Sequence, residues 1–129
     1  MSVTNLVTLI FNVDPVAKGR PRFGNGRTYS DPRTVKFENE IIRLARQQFS
    51  LQPLSGALEV FVQFYFKKAK SNKKINMTQR PDLDNLLKGV LDALNCIVYK
   101  DDCQIVRLSA EKSFSDEPRI EMSVYELET

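Results

Sequence analysis

A chain of 129 residues is long enough to form one domain whose core buries roughly two-thirds of the surface of the unfolded chain. Hydrophobic residues make up 42% of it, an ordinary share for a globular protein, and no apolar run approaches the ~20 residues that span a bilayer. Residues 1–5 lack the basic segment that opens a secretory signal. We therefore expect a single domain over residues 1–129, located in the cytoplasm and without membrane contact.

The net charge of +3 is modest, but the basic residues are concentrated in two segments. The first, here called the basic arm, is residues 18–33, in which Asp31 stands against Lys18, Arg20, Arg22, Arg27 and Arg33. The second, here called the lysine loop, is residues 67–80, which hold no acid and contain Lys67, Lys68, Lys70, Lys73, Lys74 and Arg80. This distribution favours a surface that binds a polyanion, and two solvated basic loops are the alternative.

In the first half of the chain, apolar alternation predicts a strand over about residues 4–13, and a loop rich in Gly, Pro and Arg follows over residues 14–30. Asp31 and Pro32 are typical of a helix start, an N-cap followed by proline at the first helical position. The helix is expected to end near residue 49. Its predicted core-facing stripe is Val35, Ile41, Ile42, Ala45 and Phe49.

In the second half, strict alternation predicts a strand over residues 58–66, and the lysine loop then leads to a helix over about residues 82–95. The residues expected to face the core from this helix are Leu83, Leu87, Val90, Leu91 and Leu94. A third strand begins near Asp102, and Val106, Leu108 and Ala110 share one of its faces. A turn over residues 115–118 predicts an antiparallel hairpin with a fourth strand over residues 120–124.

The resulting order, β-α-β-α-β-β, predicts an α+β fold in which two helices cover one face of a four-stranded mixed sheet. The opposite face then carries Ile10, Phe61 and Tyr65. Large apolar side chains on an uncovered face favour a subunit interface, although a loop that covers them is the alternative.

The acidic residues around the second helix indicate a metal site. Asp82 and Asp84 lie two residues apart at its start, and Asp101 and Asp102 precede the third strand. Helix capping accounts for one aspartate but not for the set. Carboxylates in a chain without histidine are typical of hard cations such as Mg²⁺, and a cation would relieve their repulsion. We expect the third strand to return Asp102 to the region of Asp82.

Lys88 follows Asp84 by four residues and lies on the same helical face. It either forms a surface ion pair with Asp84 or stabilises negative charge on a phosphate oxygen during a reaction. We expect Asp92, farther along the helix, to be a surface acid. The Gly-x-Gly at Gly24 lacks the context of a dinucleotide fingerprint, so no small-molecule cofactor is expected.

The motif Asp82-Leu-Asp-Asn-Leu-x-Lys88, followed by Asp101-Asp102 before a strand, resembles the RusA family of Holliday junction resolvases, which are small endodeoxyribonucleases. Residues 18–22, Lys-Gly-Arg-Pro-Arg, are also similar to a segment found in many members. The resemblance covers most of the chain. Pro81 and the compact connection over residues 95–100 depart from some members, and neither removes a catalytic group.

The resemblance implies a homodimer that needs Mg²⁺ or Mn²⁺ and cuts four-way DNA junctions by paired, symmetric nicks that leave 5′-phosphates. It implies that Asp82, Asp84 and Asp102 hold the metal and that Lys88 joins them in catalysis. The basic arm and the lysine loop are then expected to contact DNA phosphates. A DNA-binding module without catalysis, and a nuclease of flaps or other branched DNA, remain alternatives.

Overall fold

The computed structural model describes residues 2–128. Its strands are β1 (Val3–Phe11), β2 (Arg22–Gly24), β3 (Arg27–Tyr29), β4 (Ala57–Lys67), β5 (Ile105–Ser115) and β6 (Arg119–Leu127). Its α-helices are α1 (Pro32–Gln48) and α2 (Leu83–Ala93), and a 3-10 turn covers Asp102–Gln104. Strands β1, β6, β4 and β5 form one mixed sheet in that order. The predicted α+β fold and the order of its main elements are therefore confirmed.

Helix α1 begins as its sequence predicts. The Asp31 carboxylate accepts a hydrogen bond from the Arg33 amide at 3.4 Å, and Pro32 opens the first turn. The buried stripe is Thr34, Phe37, Ile41 and Ala45. The prediction that Val35 faces the core is wrong, since 40% of this residue is exposed. Thr34 is buried instead, and its hydroxyl accepts a hydrogen bond from the Gly19 amide at 2.8 Å.

Helix α2 buries Leu86, Val90 and Leu91 against the sheet, whereas Leu83 and Leu87 from the predicted stripe are only partly buried. Gly89 is also buried, because the chain before α1 crosses the helix there: a Cβ on Gly89 would lie 3.3 Å from the Val16 carbonyl oxygen. Beyond the helix, the buried Tyr99 hydroxyl donates a hydrogen bond to the Leu91 carbonyl at 2.8 Å. This bond ties the connection before β5 back onto α2.

The predicted hairpin of the last two strands is wrong. Strand β5 pairs with β4 in parallel, and β6 pairs antiparallel with both β4 and β1, so that β4 separates β5 from β6. The turn after Ser115 crosses the end of β4. Placing β6 inside the sheet buries its alternating Ile120, Met122 and Val124, each at most 1% exposed. A hairpin would have left this apolar row near the sheet edge.

Strand β5 is an edge of the sheet. Its Val106 and Leu108 are 64% and 44% exposed, although Leu108 is level with the buried Val60 of β4. The sheet face away from the helices is open as expected: Ile10 is 45% exposed, and Phe61 and Tyr65 line the same shallow depression. The Arg119 guanidinium stacks over the Tyr65 ring at 4.0 Å from its centroid.

The predicted loop over residues 14–30 contains a small hairpin, β2-β3, which the prediction missed. Asn25 and Gly26 both have positive φ, 52° and 76°, as the tight turn of a two-residue hairpin requires. The Asn-Gly pair was the signal that could have revealed it. The lysine loop is irregular, and the Lys112 ammonium of β5 holds its end by donating to the carbonyls of Gln79 and Pro81 at 2.7 and 2.9 Å. Within residues 2–128, neither helix is long and apolar enough to cross a membrane.

The Glu126 carboxylate, near the end of β6, accepts hydrogen bonds from the residues that precede β4. These bonds make the stability of the fold depend on pH. The carboxylate accepts hydrogen bonds from Asn5 at 2.6 Å and from the Gly56 and Ser55 amides at 2.9 and 3.2 Å, and these bonds lower the pKa of Glu126. A lowered folded-state pKa stabilises the fold above the unfolded value of about 4.3, and the contribution disappears as pH falls through the folded value.

We therefore expect Glu126→Gln to lower the midpoint of thermal unfolding at pH 7 and to lose this effect as the pH falls below about 4. Thermal unfolding followed by circular dichroism between pH 7 and pH 3 measures the difference. Glu128→Gln, at the exposed neighbouring end of the chain, is the matched control. A deficit that stays constant with pH would show that the carboxylate charge is not what stabilises the fold.

Candidate functional site

The two acids at the start of α2 are exposed and only partly used by the helix. Asp82 is the N-cap residue by backbone geometry, but its side chain makes no capping hydrogen bond. The Asp84 side chain accepts a hydrogen bond from the Asn85 amide at 3.0 Å. Asp82 thus caps the helix through its backbone only, and its exposed side chain lies where the lysine loop enters α2.

The acids before β5 have different environments, which distinguishes their roles. Asp101 caps the 3-10 turn, where its carboxylate accepts from the Cys103 amide at 3.1 Å, and this bond is the main reason that the pKa of Asp101 is lowered. Asp102 is partly buried, and its amide donates to the Asn95 side chain at 2.8 Å. Burial first, and then the neighbouring Asp101 and Asp92 side chains, raise the pKa of Asp102. Of this pair, therefore, Asp101 caps the 3-10 turn with its side chain and Asp102 does not.

One chain does not bring Asp102 to Asp82. The Asp102 carboxyl interacts with that of Asp92, at the far end of α2. Asp92 follows Asp82 by ten residues, which is about 15 Å along an α-helix. Within residues 2–128, no three acidic, cysteine or histidine side chains of one chain gather closely enough to hold a metal ion. The expectation that the third strand returns Asp102 to Asp82 is wrong for the single chain, whose residues alone do not fit a metal site.

Asp92 was expected to be a surface acid rather than a metal ligand, and its partly exposed side chain forms an ion pair that was not expected. Its carboxylate accepts a hydrogen bond from the Lys18 ammonium at 2.7 Å, and Glu38 of α1 lies 3.5 Å from the same ammonium. The bond to Asp92 is the largest cause of the raised pKa of Lys18.

Lys88 is exposed on that face. In the part of the chain that the structure describes, the acid–base pairs within 4.0 Å do not include one between Lys88 and Asp84. The alternative of a surface ion pair is therefore wrong. Lys88 instead lines a crevice between α2 and the basic arm, together with Asn85 and residues 18–21, which include Lys18 and Arg20. The crevice places three cationic residues and an amide around one open space, a set suited to an anion.

The other basic residues surround this site unevenly. In the basic arm, Arg22 pairs with Asp31 at 3.0 Å, while Arg27 is exposed on β3. In the lysine loop, Lys68 lies over the Phe114 ring at 5.7 Å from its centroid. The exposed cations of this loop and its flanks are Lys67, Lys70, Lys73, Lys74 and Arg80. The loop runs directly into α2, so this positive charge is concentrated at the end that carries Asp82 and Asp84.

Comparison with known proteins finds similarity to one nuclease family. A family model described as endodeoxyribonuclease RusA matches residues 12–125. The uncharacterized protein YqaN of Bacillus subtilis (strain 168) is 36% identical over 130 aligned residues, which cover 88% of this chain and 92% of that protein. A protein of Lactococcus phage r1t, named crossover junction endodeoxyribonuclease rusA, is 42% identical over 65 residues, 50% of each chain.

Proposed function

Because the chain belongs to the RusA endodeoxyribonuclease family, we propose that it resolves four-way (Holliday) DNA junctions by paired, symmetric nicks that leave 5′-phosphate ends. The reaction depends on a divalent metal ion and serves DNA recombination and repair in the cytoplasm. The observation that carries the proposal is a set of acidic and basic side chains at α2 and in the turn that follows it, none of which forms an ion pair within the described residues. These are the side chains of Asp82, Asp84, Lys88 and Asp102.

The metal ion in this proposal is Mg²⁺, with Mn²⁺ as the alternative. Carboxylate oxygens in a chain that has no histidine are the ligands that such hard cations prefer. We assign the ion to Asp82, Asp84 and Asp102. Because one chain separates these carboxylates along α2, we propose that a homodimer completes each site, with Asp82 and Asp84 from one copy and Asp102 from the other.

The edge strand β5 offers a geometry for this dimer. Asp102 lies just before the start of β5, while Asp82 lies near its other end, because Lys112 donates to the Pro81 carbonyl at 2.9 Å. Two copies of β5 that pair antiparallel about a twofold axis bring the start of each strand to the end of the other. Such pairing would also cover Val106 and Leu108, the exposed apolar residues of this strand. The open sheet face with Ile10 remains the other candidate interface.

The basic residues hold the DNA in this proposal. Phosphate contacts orient a substrate without reading its sequence, as a nuclease directed to DNA shape requires. The lysine loop and the basic arm flank the two ends of the acidic set, and a twofold dimer presents both to the near-symmetric arms of a junction. Lys88 stabilises the negative charge that develops on the scissile phosphate.

The deciding experiment measures cleavage of an end-labelled four-way junction, a flap and a linear duplex, each with Mg²⁺ and with EDTA. The proposal expects metal-dependent cleavage of the junction at symmetric positions and much slower cleavage of the duplex. Faster cleavage of the flap would favour the branched-DNA nuclease. Junction binding without cleavage by any tested divalent ion would favour the non-catalytic DNA-binding module.

We expect Asp82→Asn, Asp84→Asn and Asp102→Asn each to reduce the junction cleavage rate by at least about 100-fold, the scale for losing one group that stabilises developing charge. Junction binding in EDTA is retained or strengthened, because each change removes negative charge near phosphate. Gel-shift titration and single-turnover cleavage measure the two quantities. Asp116→Asn, on the exposed turn before β6, is the control. If a variant cuts at the wild-type rate, the replaced residue does not have the role assigned to it.

A mixing experiment tests the shared site. Asp84→Asn and Asp102→Asn subunits are inactive alone, but a heterodimer of the two carries one site with both changes and one site with neither. We expect co-refolded mixtures to regain nicking of one strand of the junction. A mixture of Asp82→Asn with Asp84→Asn is the control, because every site in that heterodimer is damaged. If wild-type protein cuts and the first mixture stays inactive, the acids do not act across two chains.

A further inference from the structure

The Lys18 ammonium is the most heavily paired cation in the basic arm. It donates to the Asp92 carboxylate at 2.7 Å and lies 3.5 Å from Glu38, and 31% of its side chain is exposed. Two acids within ion-pair distance leave little net charge for a DNA phosphate. Lys18 also lines the crevice with Arg20 and Lys88, but two acids of the protein offset its charge there.

The backbone around Lys18 is also fixed to both helices. The Lys18 amide donates to the Asn85 carbonyl of α2 at 3.0 Å, and the Gly19 amide donates to the buried Thr34 hydroxyl of α1 at 2.8 Å. Gly89 has no side chain, which leaves room for the Val16 carbonyl 3.3 Å from where a Cβ would stand. Residues 16–19 therefore lie in a defined path across α2.

This path determines the position of the Arg20 backbone. Arg20 directly follows the anchored Gly19 and lines the same crevice as Asn85 and Lys88. In the part of the chain that the structure describes, the ion pairs within 4.0 Å do not include Arg20. A guanidinium and an ammonium that line one crevice suit one phosphate group, and the planar guanidinium can form two parallel hydrogen bonds to it.

We propose that the crevice between residues 18–21 and α2 binds one DNA phosphate between Arg20 and Lys88, and that Lys18 is a positioning residue whose ion pair with Asp92 holds Arg20 in place. This inference rests on the proposed function, because it takes DNA as the ligand. It assigns Lys18 a role that acts through Arg20 rather than through its own charge.

Direct contact and positioning predict opposite effects at Asp92. If Lys18 touched DNA, Asp92→Asn would free its charge and tighten junction binding. If Lys18 positions Arg20, Asp92→Asn releases residues 18–21 and weakens binding, although it removes a negative charge. The two roles also differ in additivity: two residues that act through one contact give a double variant no worse than either single variant.

The experiment measures junction affinity in EDTA as a function of salt for Lys18→Met, Asp92→Asn, Arg20→Met and the double variant Lys18→Met/Arg20→Met. Losing one phosphate contact reduces the magnitude of the slope of log affinity against log salt concentration by about 0.9. We expect each single variant and the double variant to show this same reduction. Lys18→Arg keeps the ion pair and is expected to restore the wild-type slope. Urea unfolding of each variant checks that the fold is intact.

Tighter binding by Asp92→Asn, or a double variant whose slope falls by about twice 0.9, would overturn the positioning role. If Arg20→Met gives the same salt slope as wild-type protein, the crevice does not bind a phosphate. Arg20 is exposed, so this substitution leaves the ion pair of Lys18 in place. If wild-type protein neither binds nor cuts the junction, both the proposed function and this inference are rejected. If wild-type protein cuts the junction but the variants give any of these contrary results, this inference is rejected and the proposed function stands.

Discussion

The rigidity and length of α2 constrain the whole candidate site. An α-helix cannot shorten to bring its ends together, so Asp82 and Asp92 stay about 15 Å apart along its axis. The acids at the start of α2 form one group, and Asp101 and Asp102, on the side of Asp92, form a second. Two hydrogen bonds hold the segment with Asp102 at the end of α2. The Tyr99 hydroxyl donates to the Leu91 carbonyl, and the Asp102 amide donates to the Asn95 side chain. A metal site that uses both groups therefore needs a second chain, and the exposed edge strand β5 lies where that chain could pair.

The same helix also organises the positive charge. Its start receives the lysine loop, its exposed face carries Lys88, and residues 16–19 cross it where Gly89 leaves room for their backbone. Basic residues near the site thus have two kinds of role. Arg20, Lys88 and Lys18 all line the crevice, but only the charge of Lys18 is offset by acids from two helices. Counting cations in the sequence treats these residues alike, although their environments differ.

Several features of the site could be predicted because they depend on local patterns. Asp31-Pro32 started α1, strict alternation marked β4, and the spacing of Asp84 and Lys88 placed them on one helical face. Asp92 was missed because nothing in its own segment shows that residue 18 will lie against it. The hairpin of β5 and β6 was wrongly predicted because a short turn between strands is also compatible with crossing the end of a third strand.

The sequence by itself determined the α+β class, the helix starts, the acidic and basic sets and, through its motif, the family. These features follow from short-range rules of capping, periodicity and residue chemistry, which operate within one or two turns of chain. Only the tertiary structure decided the order of the strands, the pairing of Lys18 with Asp92 and the distance between Asp82 and Asp102. Those depend on which distant segments pack together, because burial of apolar surface sets that choice and acts over the whole core rather than along the chain.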